Sequence, residues 1–330
     1  MSIMPLPGWP YDESPYHAGE IAMQERAGVR ARAERLGRGG IRSFMPDQHR
    51  ELFTKLPYLL VGSADAGGQP HASMLIGAPG FIGSPDAWTL AIGAVPAADD
   101  PLAANLAVGA AVGLLGIELD TRRRNRMNGV VTASDGQGFV VRVGQSFGNC
   151  PQYIQARAPF FVLDPAALAP PAPRTEEPVL SATSMSLLRQ ADTFFIATAT
   201  PTERREGAAH GVDVSHRGGR PGFIRVTQEK GANVLTVPDL RGNSAFNTLG
   251  NIALEPRSGL LVVDFSTGDL LSLTATGTIV WDGPELASFA GAQRLLKLRV
   301  TGGLLRANAV PLRWSQPQPA PQLAATGSWE

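Results

Sequence analysis

Short stretches of alternating apolar and polar residues, each bounded by Gly, Pro or Asp, recur along most of the chain. This alternation predicts β-strands, because successive side chains of a strand point to opposite faces of its sheet. Representative stretches are GQPHASMLIG at 68–77, GVDVSHRG at 211–218 and LLSLTATGTIVWD at 270–282. The 37 glycines and 27 prolines supply turns between such strands. We therefore predict a mainly β protein of the α+β type with peripheral helices.

Three segments have the composition of helices instead. Residues 17–36 are rich in Ala, Glu and Arg, and they predict one polar helix packed outside the first half of the chain. Residues 46–56 predict a short helix with Asp47 as its N-cap. Residues 184–191 predict a helix that opens the second half.

The chain contains an ordered internal repeat. PGFI at 79–82 recurs at 221–224, VGLLGIEL at 112–119 recurs as SGLLVVDF at 258–265, and RMNGVV at 126–131 recurs as TATGTI at 274–279. Matches in the same order at a long offset predict two copies of one domain. The predicted organisation is a helical extension over 1–45, a first domain over 46–166, a Pro-rich linker over 167–178, a second domain over 179–315 and a flexible tail over 316–330.

Composition and charge exclude several classes of function. The 330 residues include 29 basic and 29 acidic side chains, so no basic surplus points to nucleic acid. No apolar run approaches the roughly 18 residues that a membrane-spanning helix needs. The N-terminus lacks the layout of a signal peptide, and Cys150 is the only cysteine, so no cysteine cluster can hold a metal. We expect a cytoplasmic protein without a metal, membrane or nucleic-acid partner.

The segment LTVPDLRGNSAFNTLGNI at 235–252 is the strongest chemical signal. Arg241, Asn243 and Ser244 lie in a polar turn before a predicted helix, and such a turn offers the donors that a phosphate needs. A helix cap with a solvated arginine explains the turn equally well. The corresponding stretch of the first copy carries Asp99 and Asp100, whose carboxylates would repel a phosphate. We therefore predict one anion site, in the second copy, and expect both aspartates to tolerate alanine without loss of the ligand.

Three further segments carry candidate ligand contacts. DVSHRGGRPGFIRV at 213–226 supplies Arg217 and His216, the latter being either a proton donor or a structural histidine. DTRRRNRMNGVV at 120–131 places Arg126 and Asn128 on one face of a strand, although a charged hairpin would look the same. FGNCPQYIQAR at 147–157 offers Tyr153, whereas its Cys150 is expected to be a buried, inert thiol.

These motifs together resemble the pyridoxamine 5'-phosphate oxidase-like, FMN-binding split-barrel family, and in particular its tandem-domain members. The resemblance covers about residues 17–315 and is carried by FGNCPQYIQ, RRRNRMNG, DVSHRGGRPGFI and LTVPDLRGNSAFNTLGN. It implies two tandem split β-barrels, with the flavin phosphate on the turn at 241–244 and the first barrel closing over the ring. The implied cofactor-binding residues are Arg126, Asn128, Tyr153, Arg217, Gly222, Phe223, Arg225, Thr236, Val237, Arg241, Asn243 and Ser244.

Two departures from the family limit what the resemblance implies. The turn lacks the lysine of the family's phosphate site, so Arg241 must supply most of the positive charge. The C-terminal segment 315–330 lacks the Arg and His that bind the oxidase's substrate, so vitamin B6 oxidation is not implied.

The expected function is that of an FMN-dependent oxidoreductase. It would pass hydride or electrons between the flavin and a small organic substrate or NAD(P)H, with or without a separate reductase. The ring site would be closed within one chain or between the chains of a homodimer. The alternatives are an FMN-binding or sensing protein without catalysis, a split barrel that binds the deazaflavin cofactor F420, and a haem protein with His71, His210 or His216 as axial ligand.

Overall fold

Two large antiparallel sheets form the body of the protein, whose computed structural model describes residues 6–162, 170–201 and 207–329. The first sheet contains β1 (Tyr58–Ala64), β2 (Pro70–Ile76), β3 (Ile82–Asp86), β4 (Thr89–Ile92), β5 (Ala111–Glu118), β6 (Arg123–Asp135) and β7 (Gly138–Gly148). A separate pair joins β8 (Pro159–Phe161) to β17 (Leu312–Trp314). The second sheet contains β9 (Arg174–Glu176), β10 (Thr193–Ala199), β11 (Val212–Gly218), β12 (Arg225–Glu229), β13 (Ala232–Leu240), β14 (Arg257–Val263), β15 (Leu270–Val280) and β16 (Ala292–Arg306).

Six α-helices lie around these sheets in the described part of the chain. They are α1 (Ala18–Arg26), α2 (Arg30–Gly40), α3 (Asp47–Lys55), α4 (Ala182–Gln190), α5 (Asn247–Leu254) and α6 (Pro284–Ala287). Short 3-10 turns occur at Pro101–Ala104 and Pro321–Ala325. None of the helices described is long and apolar enough to cross a membrane.

The two large sheets have the same strand order. The first runs β2-β1-β5-β6-β7-β4-β3, and the second runs β11-β10-β14-β15-β16-β13-β12, with β9 added on β16. The repeated segments fall on corresponding strands, 112–119 on β5 and 258–265 on β14. The prediction of a mainly β protein with peripheral helices is confirmed. Each pairing path is open from one edge strand to the other, so the sheets are not closed barrels.

The repeated Gly-Leu-Leu block is apolar on both faces of its strand because both faces are buried. Leu114 of β5 packs in the core of the first half, and Leu260 of β14 packs in the core of the second half. The next residues, Leu115 and Leu261, point the other way and meet in a third apolar cluster that both halves share. We define the first half as residues 6–162 and the second half as residues 170–329.

Two corresponding glycines allow the halves to touch through their backbones. A Cβ added at Gly113 of β5 would lie 2.6 Å from the carbonyl oxygen of Val212, at the start of β11. A Cβ added at Gly259 of β14 would overlap the carbonyl oxygen of Pro70, at the start of β2. Each β-sheet therefore accepts the edge strand of the other half at a point where no larger residue fits.

The N-terminal segment differs from its prediction. Residues 17–36 fall within two helices, α1 and α2, separated by a turn at Gly28, whose φ is +69°. Helix α1 packs on α5 of the second half, where Gly19 and Gly250 let the two helix backbones approach closely. The next helix, α3, begins at Asp47, so its N-cap is Pro46.

The predicted linker and tail are in contact with the sheets. Residues 167–169 of the predicted linker lie outside the described residues. The same holds for 1–5 of the predicted helical extension, 163–166 of the first domain and 330 of the tail. Within the rest of the linker, Arg174–Glu176 pairs with β16 as strand β9. In the tail, Gln318 pairs with Ala156, and the indole Nε1 of Trp329 donates a hydrogen bond of 2.8 Å to the carbonyl oxygen of Phe223.

Replacing Gly259 with alanine is expected to lower the free energy of unfolding by about 2 kcal/mol, since the added methyl group overlaps the backbone of the other half. The matched control is Gly136→Ala, in a turn with open space around it, which should change that free energy by less than about 0.5 kcal/mol. Urea titration followed by circular dichroism measures both. Equal stability of the two variants would contradict the close backbone contact.

Candidate functional site

A large cleft lies where the two halves meet. The first half contributes residues of β6 and the segment 149–153, and the second half contributes the end of β11, the segment 238–249 and part of β16. The cleft has a volume of about 1000 Å³, counting the space at its open mouth.

Positively charged side chains outnumber negatively charged ones in the lining of this cleft. They are Arg124, Arg126, Arg217, Arg241, Arg294 and one carboxylate, Asp239. Five guanidinium groups remain charged at any physiological pH, so the cleft has a positive potential. The arrangement favours an anionic ligand.

Carboxylates from the second half hold three of the five arginines in place. Arg217 donates to one oxygen of Asp239 at 2.6 Å, and Arg294 donates to the other at 2.7 and 2.9 Å. Arg126 lies 3.0 Å from a carboxylate oxygen of Asp213 across the junction between the halves. These pairs fix the guanidinium groups before any ligand arrives.

Arg241 is the exception. It is exposed, and within the described residues its guanidinium forms no hydrogen bond or ion pair. Burial, and then the neighbouring Cys150, raise the pKa of the Tyr153 phenol. The charge of Arg241 lowers that pKa by less, so the net shift is upward. Arg241 is therefore the cation of the cleft that a ligand can use without breaking an existing pair.

The turn that carries Arg241 is strained. Asn243 closes it by accepting a hydrogen bond of 3.1 Å from the backbone N–H of Ala245. Ser244 and Phe246 have positive φ angles of 63° and 65°, and helix α5 begins at the next residue. Tyr153, with φ of 62°, faces the same cleft. Positive φ is uncommon outside glycine, and its concentration around one cleft is typical of a ligand-binding turn.

His216 supplies a neutral donor inside the cleft. Its Nδ1 lies 3.1 Å from Nη1 of Arg124. A guanidinium only donates, so Nδ1 must accept and Nε2 must carry the proton. Burial, and then the charges of Arg124, Arg217 and Arg157, hold the pKa of His216 well below its usual value. The imidazole is thus neutral at pH 7, which makes it a hydrogen-bond donor and not a charged acid.

Arg124 is the functional side chain that the sequence reasoning missed. Its Nε donates to the carbonyl oxygen of Cys150 at 2.8 Å, while burial lowers the pKa of its guanidinium to about 10. The available signal was the alternation along β6, which puts Arg124 and Arg126 on one face and leaves Arg123 exposed. Arg294 was also missed, and no motif surrounds it on β16.

Cys150 was expected to be a buried thiol. The structure places it half-buried at the edge of the cleft, with its Sγ 3.8 Å from Nη2 of Arg124. Strand β7 ends at Gly148, two residues before Cys150, so the thiol lies on a loop and not in a core.

The cleft brings together most of the residues predicted to bind a cofactor. Those that line it are Arg126, Tyr153, Arg217, Phe223, Arg241, Asn243 and Ser244, together with the candidate His216. Five predicted residues do not line it. They are Asn128, Gly222, Arg225, Thr236 and Val237.

Each of these five side chains has another environment. Asn128 donates to Asp213 at 2.8 Å and lines a smaller polar pocket, whereas Arg225 is paired with Glu285. Thr236 is fully buried on β13, Val237 belongs to the apolar core of the second half, and Gly222 lies in an exposed turn with φ of +87°. Asn128 lies two residues beyond Arg126 along β6, where the smaller pocket begins.

The other candidate histidines are remote from the cleft lining. Nε2 of His71 lies 3.3 Å from a carboxylate oxygen of Asp65, and the ring of His210 lies 5.6 Å from that of His17 in the smaller pocket. Among the residues described, no three His, Cys, Asp or Glu side chains are grouped so that they could hold a metal ion.

The corresponding place in the first half contains an internal ion pair. The carboxylate of Asp100 accepts a hydrogen bond of 2.8 Å from Arg306 of the second half and another from Ser73. Ser73 on β2 corresponds to Ser215 on β11, which the cleft contains. The carboxylate of Asp100 is buried and paired, so its replacement with alanine bears on stability. The expectation that the ligand is retained without it stays a prediction.

Comparisons with known proteins give only distant similarities. No family model matches the sequence, and no curated protein matches it. A candidate pyridoxamine 5'-phosphate oxidase from Lactobacillus delbrueckii is 14% identical, and the match covers 38% of this chain and 93% of that one with a TM-score of 0.29. HutZ, a heme storage protein from Vibrio cholerae, is 13% identical. The match covers 39% of this chain and 95% of HutZ, with a TM-score of 0.26. A variant of HupZ from Group A Streptococcus is 13% identical. The match covers 37% of this chain and 98% of that variant, with a TM-score of 0.28. Similarities at this level establish neither the fold nor the function of the chain.

Asp100→Ala is expected to destabilise the protein by about 3 kcal/mol, because it leaves the buried guanidinium of Arg306 without its carboxylate. The matched control is Asp99→Ala, whose carboxylate is 39% exposed and 3.7 Å from the same arginine, and which should cost less than about 1 kcal/mol. Urea unfolding of both variants measures the difference. Similar losses for the two would show that the buried pair is not what stabilises this junction.

Proposed function

We propose that the chain binds FMN in the arginine-rich cleft and acts as an FMN-dependent oxidoreductase. The observation that carries this proposal is that five guanidinium groups and only one carboxylate line one open cleft between the halves. We propose further that the two halves are tandem split barrels, a view supported by their identical strand order. A cytoplasmic location, a small-molecule substrate and a supply of electrons from NAD(P)H or a separate reductase belong to the same proposal.

The phosphate group would lie at the turn that carries Arg241. Arg241 offers a guanidinium without a partner among the described residues, and Asn243 and Ser244 add amide and hydroxyl groups beside it. The first turn of α5 starts three residues after Ser244, and its backbone N–H groups favour a negative charge. This turn meets the needs of a phosphate dianion better than any other part of the cleft.

The ring system would lie toward Phe223, Tyr153 and His216. Phe223 is buried and Tyr153 is partly so, which gives the cleft aromatic surface beside its charges. The unpartnered Nε2 of His216 is a buried polar atom that a heteroaromatic ligand with acceptor atoms would satisfy. When bound, a flavin itself supplies the hydride and electron transfer, so the chain needs to bind it, orient it and exclude water.

One chain contains both walls of the proposed site. Arg124 and Tyr153 come from the first half, whereas Arg217 and Arg241 come from the second. The proposed site is thus complete in cis, and a homodimer is not needed to build it. We expect one FMN per chain, because the corresponding place in the other junction is filled by the carboxylate of Asp100.

A haem with His216 as axial ligand is the less favoured alternative. Ligation through Nε2 requires that nitrogen to be unprotonated, and second-sphere partners of a ligating histidine normally accept from Nδ1. Here the guanidinium of Arg124 donates to Nδ1 and so keeps the proton on Nε2. The same contact is compatible with a flavin.

Arg241→Ala is expected to weaken FMN binding about 10- to 100-fold, the usual loss for a hydrogen-bonded charge pair. The matched control is Arg225→Ala, which removes an equal charge from a residue that does not line the cleft and should leave the affinity unchanged. Fluorescence titration of FMN measures both dissociation constants. An unchanged dissociation constant for Arg241→Ala would contradict the placement of the FMN phosphate at the turn that carries Arg241.

The absorption spectrum of the purified protein, followed by acid release of any chromophore, should give FMN at about one per chain. A Soret band would indicate haem, and fluorescence unlike that of FMN would indicate F420. A bound flavin that neither NADH nor NADPH reduces would favour the non-catalytic FMN-binding protein. A colourless protein that takes up no added FMN would contradict the proposal.

A further inference from the structure

The contact between Arg124 and His216 joins the two halves inside the cleft. Arg124 belongs to β6 of the first half, and His216 belongs to β11 of the second. Nη1 of the arginine is 3.1 Å from Nδ1 of the imidazole. A further hydrogen bond from Nε of Arg124 to the carbonyl oxygen of Cys150 fixes the guanidinium from its other side.

This contact determines the tautomer of the imidazole. Arginine has five N–H donors and no acceptor, so the nitrogen that faces it must offer a lone pair. A proton on Nδ1 would set two donors against each other within 3.1 Å. The neutral ring therefore carries its proton on Nε2.

The protonated nitrogen is left unsatisfied. His216 is 7% exposed, it lines the cleft, and its Nε2 has no hydrogen-bond partner. An unpaired buried donor is costly, and a ligand with an acceptor atom at that point would remove the cost.

We infer that Arg124 is a positioning residue that holds His216 as its Nε2–H tautomer, so that His216 donates a hydrogen bond to an acceptor atom of the ligand in the cleft. The inference rests on the proposed FMN site and adds a requirement on which ligand atom faces His216. The ligand must present a ring carbonyl oxygen or an unprotonated ring nitrogen to His216. A ligand that presents an N–H there is disfavoured, since two donors would meet.

The charges around His216 keep this donor available across the physiological range of pH. Arg124 on β6, Arg217 on β11 and Arg157 after β7 all disfavour the imidazolium, and the Cys150 thiol lies beyond Arg124. The nearest carboxylates, Asp239 and Asp192, are engaged by Arg217 and Arg157 respectively. The pKa of His216 therefore lies well below its ordinary value, and the ring is neutral at pH 7.

The tautomer can be read directly from the native protein. Long-range proton–nitrogen correlation spectra of protein labelled at its five histidines distinguish Nε2–H from Nδ1–H rings. The signal of His216 is assigned as the one lost in His216→Gln. We expect a pure Nε2–H pattern at pH 7, and in Arg124→Met we expect a mixture of Nε2–H and Nδ1–H rings, because no guanidinium then faces Nδ1. An Nδ1–H or mixed pattern in the native protein overturns the inference.

Binding of FMN tests the donor itself. His216→Phe keeps the ring but removes the donor, and it should weaken FMN binding about 5- to 10-fold. His216→Gln places an amide N–H near the position of Nε2, and it should recover most of that loss. Equal affinities for the native protein and His216→Phe overturn the inference while leaving the FMN site itself intact.

Failure of the FMN site has a different signature. If the native protein binds no FMN, the proposed function falls, and the correlation spectra still decide whether Arg124 sets the tautomer. If Arg124→Met fails to fold, Arg124→Lys replaces it. Because lysine has a shorter reach and no planar fork, that variant should also give a mixture of the two tautomers.

Discussion

Close backbone contact between the two halves is the constraint on which the rest of the structure depends. Gly113 and Gly259 occupy corresponding positions, and at each of them the edge strand of the other half crosses with no room for a side chain. The leucines that follow these glycines pack alternately into one half's own core and into the shared cluster. The candidate site is formed by this junction and by neither half alone.

The duplication produces two corresponding junctions that have diverged chemically. At one, five arginines and one carboxylate leave an open cationic cleft. At the other, Asp100 reaches Arg306 and Ser73, so the positive charge is neutralised from within the chain. A buried arginine is costly without a counter-charge. In the cleft, Asp213 and Asp239 supply one to Arg126, Arg217 and Arg294, but among the described residues no carboxylate pairs with Arg124 or Arg241. At the proposed site the ligand would complete that charge balance.

Within the cleft, the guanidinium groups held by carboxylates are different from the groups left for a ligand. Asp239 and Asp213 hold Arg217, Arg294 and Arg126, so those guanidinium groups shape the electrostatic field without moving. The groups left for a ligand are Arg241 on its strained turn and Nε2 of His216. Their positions favour a ligand with an anionic group at one end and a heteroaromatic system at the other.

The sequence by itself determined the β-rich class, the internal repeat and the turn at 241–244. Periodicity and turn residues are local properties, and local properties need no knowledge of the fold. Only the tertiary structure decided that α1 packs on α5, that Asp100 is paired with Arg306, and that Arg124 faces His216. These contacts join residues from about 90 to more than 220 positions apart, and no spacing rule specifies them. The run of arginines in 122–126 showed where charge was concentrated, but which of them enters the cleft depended on the face that β6 turns toward the other half.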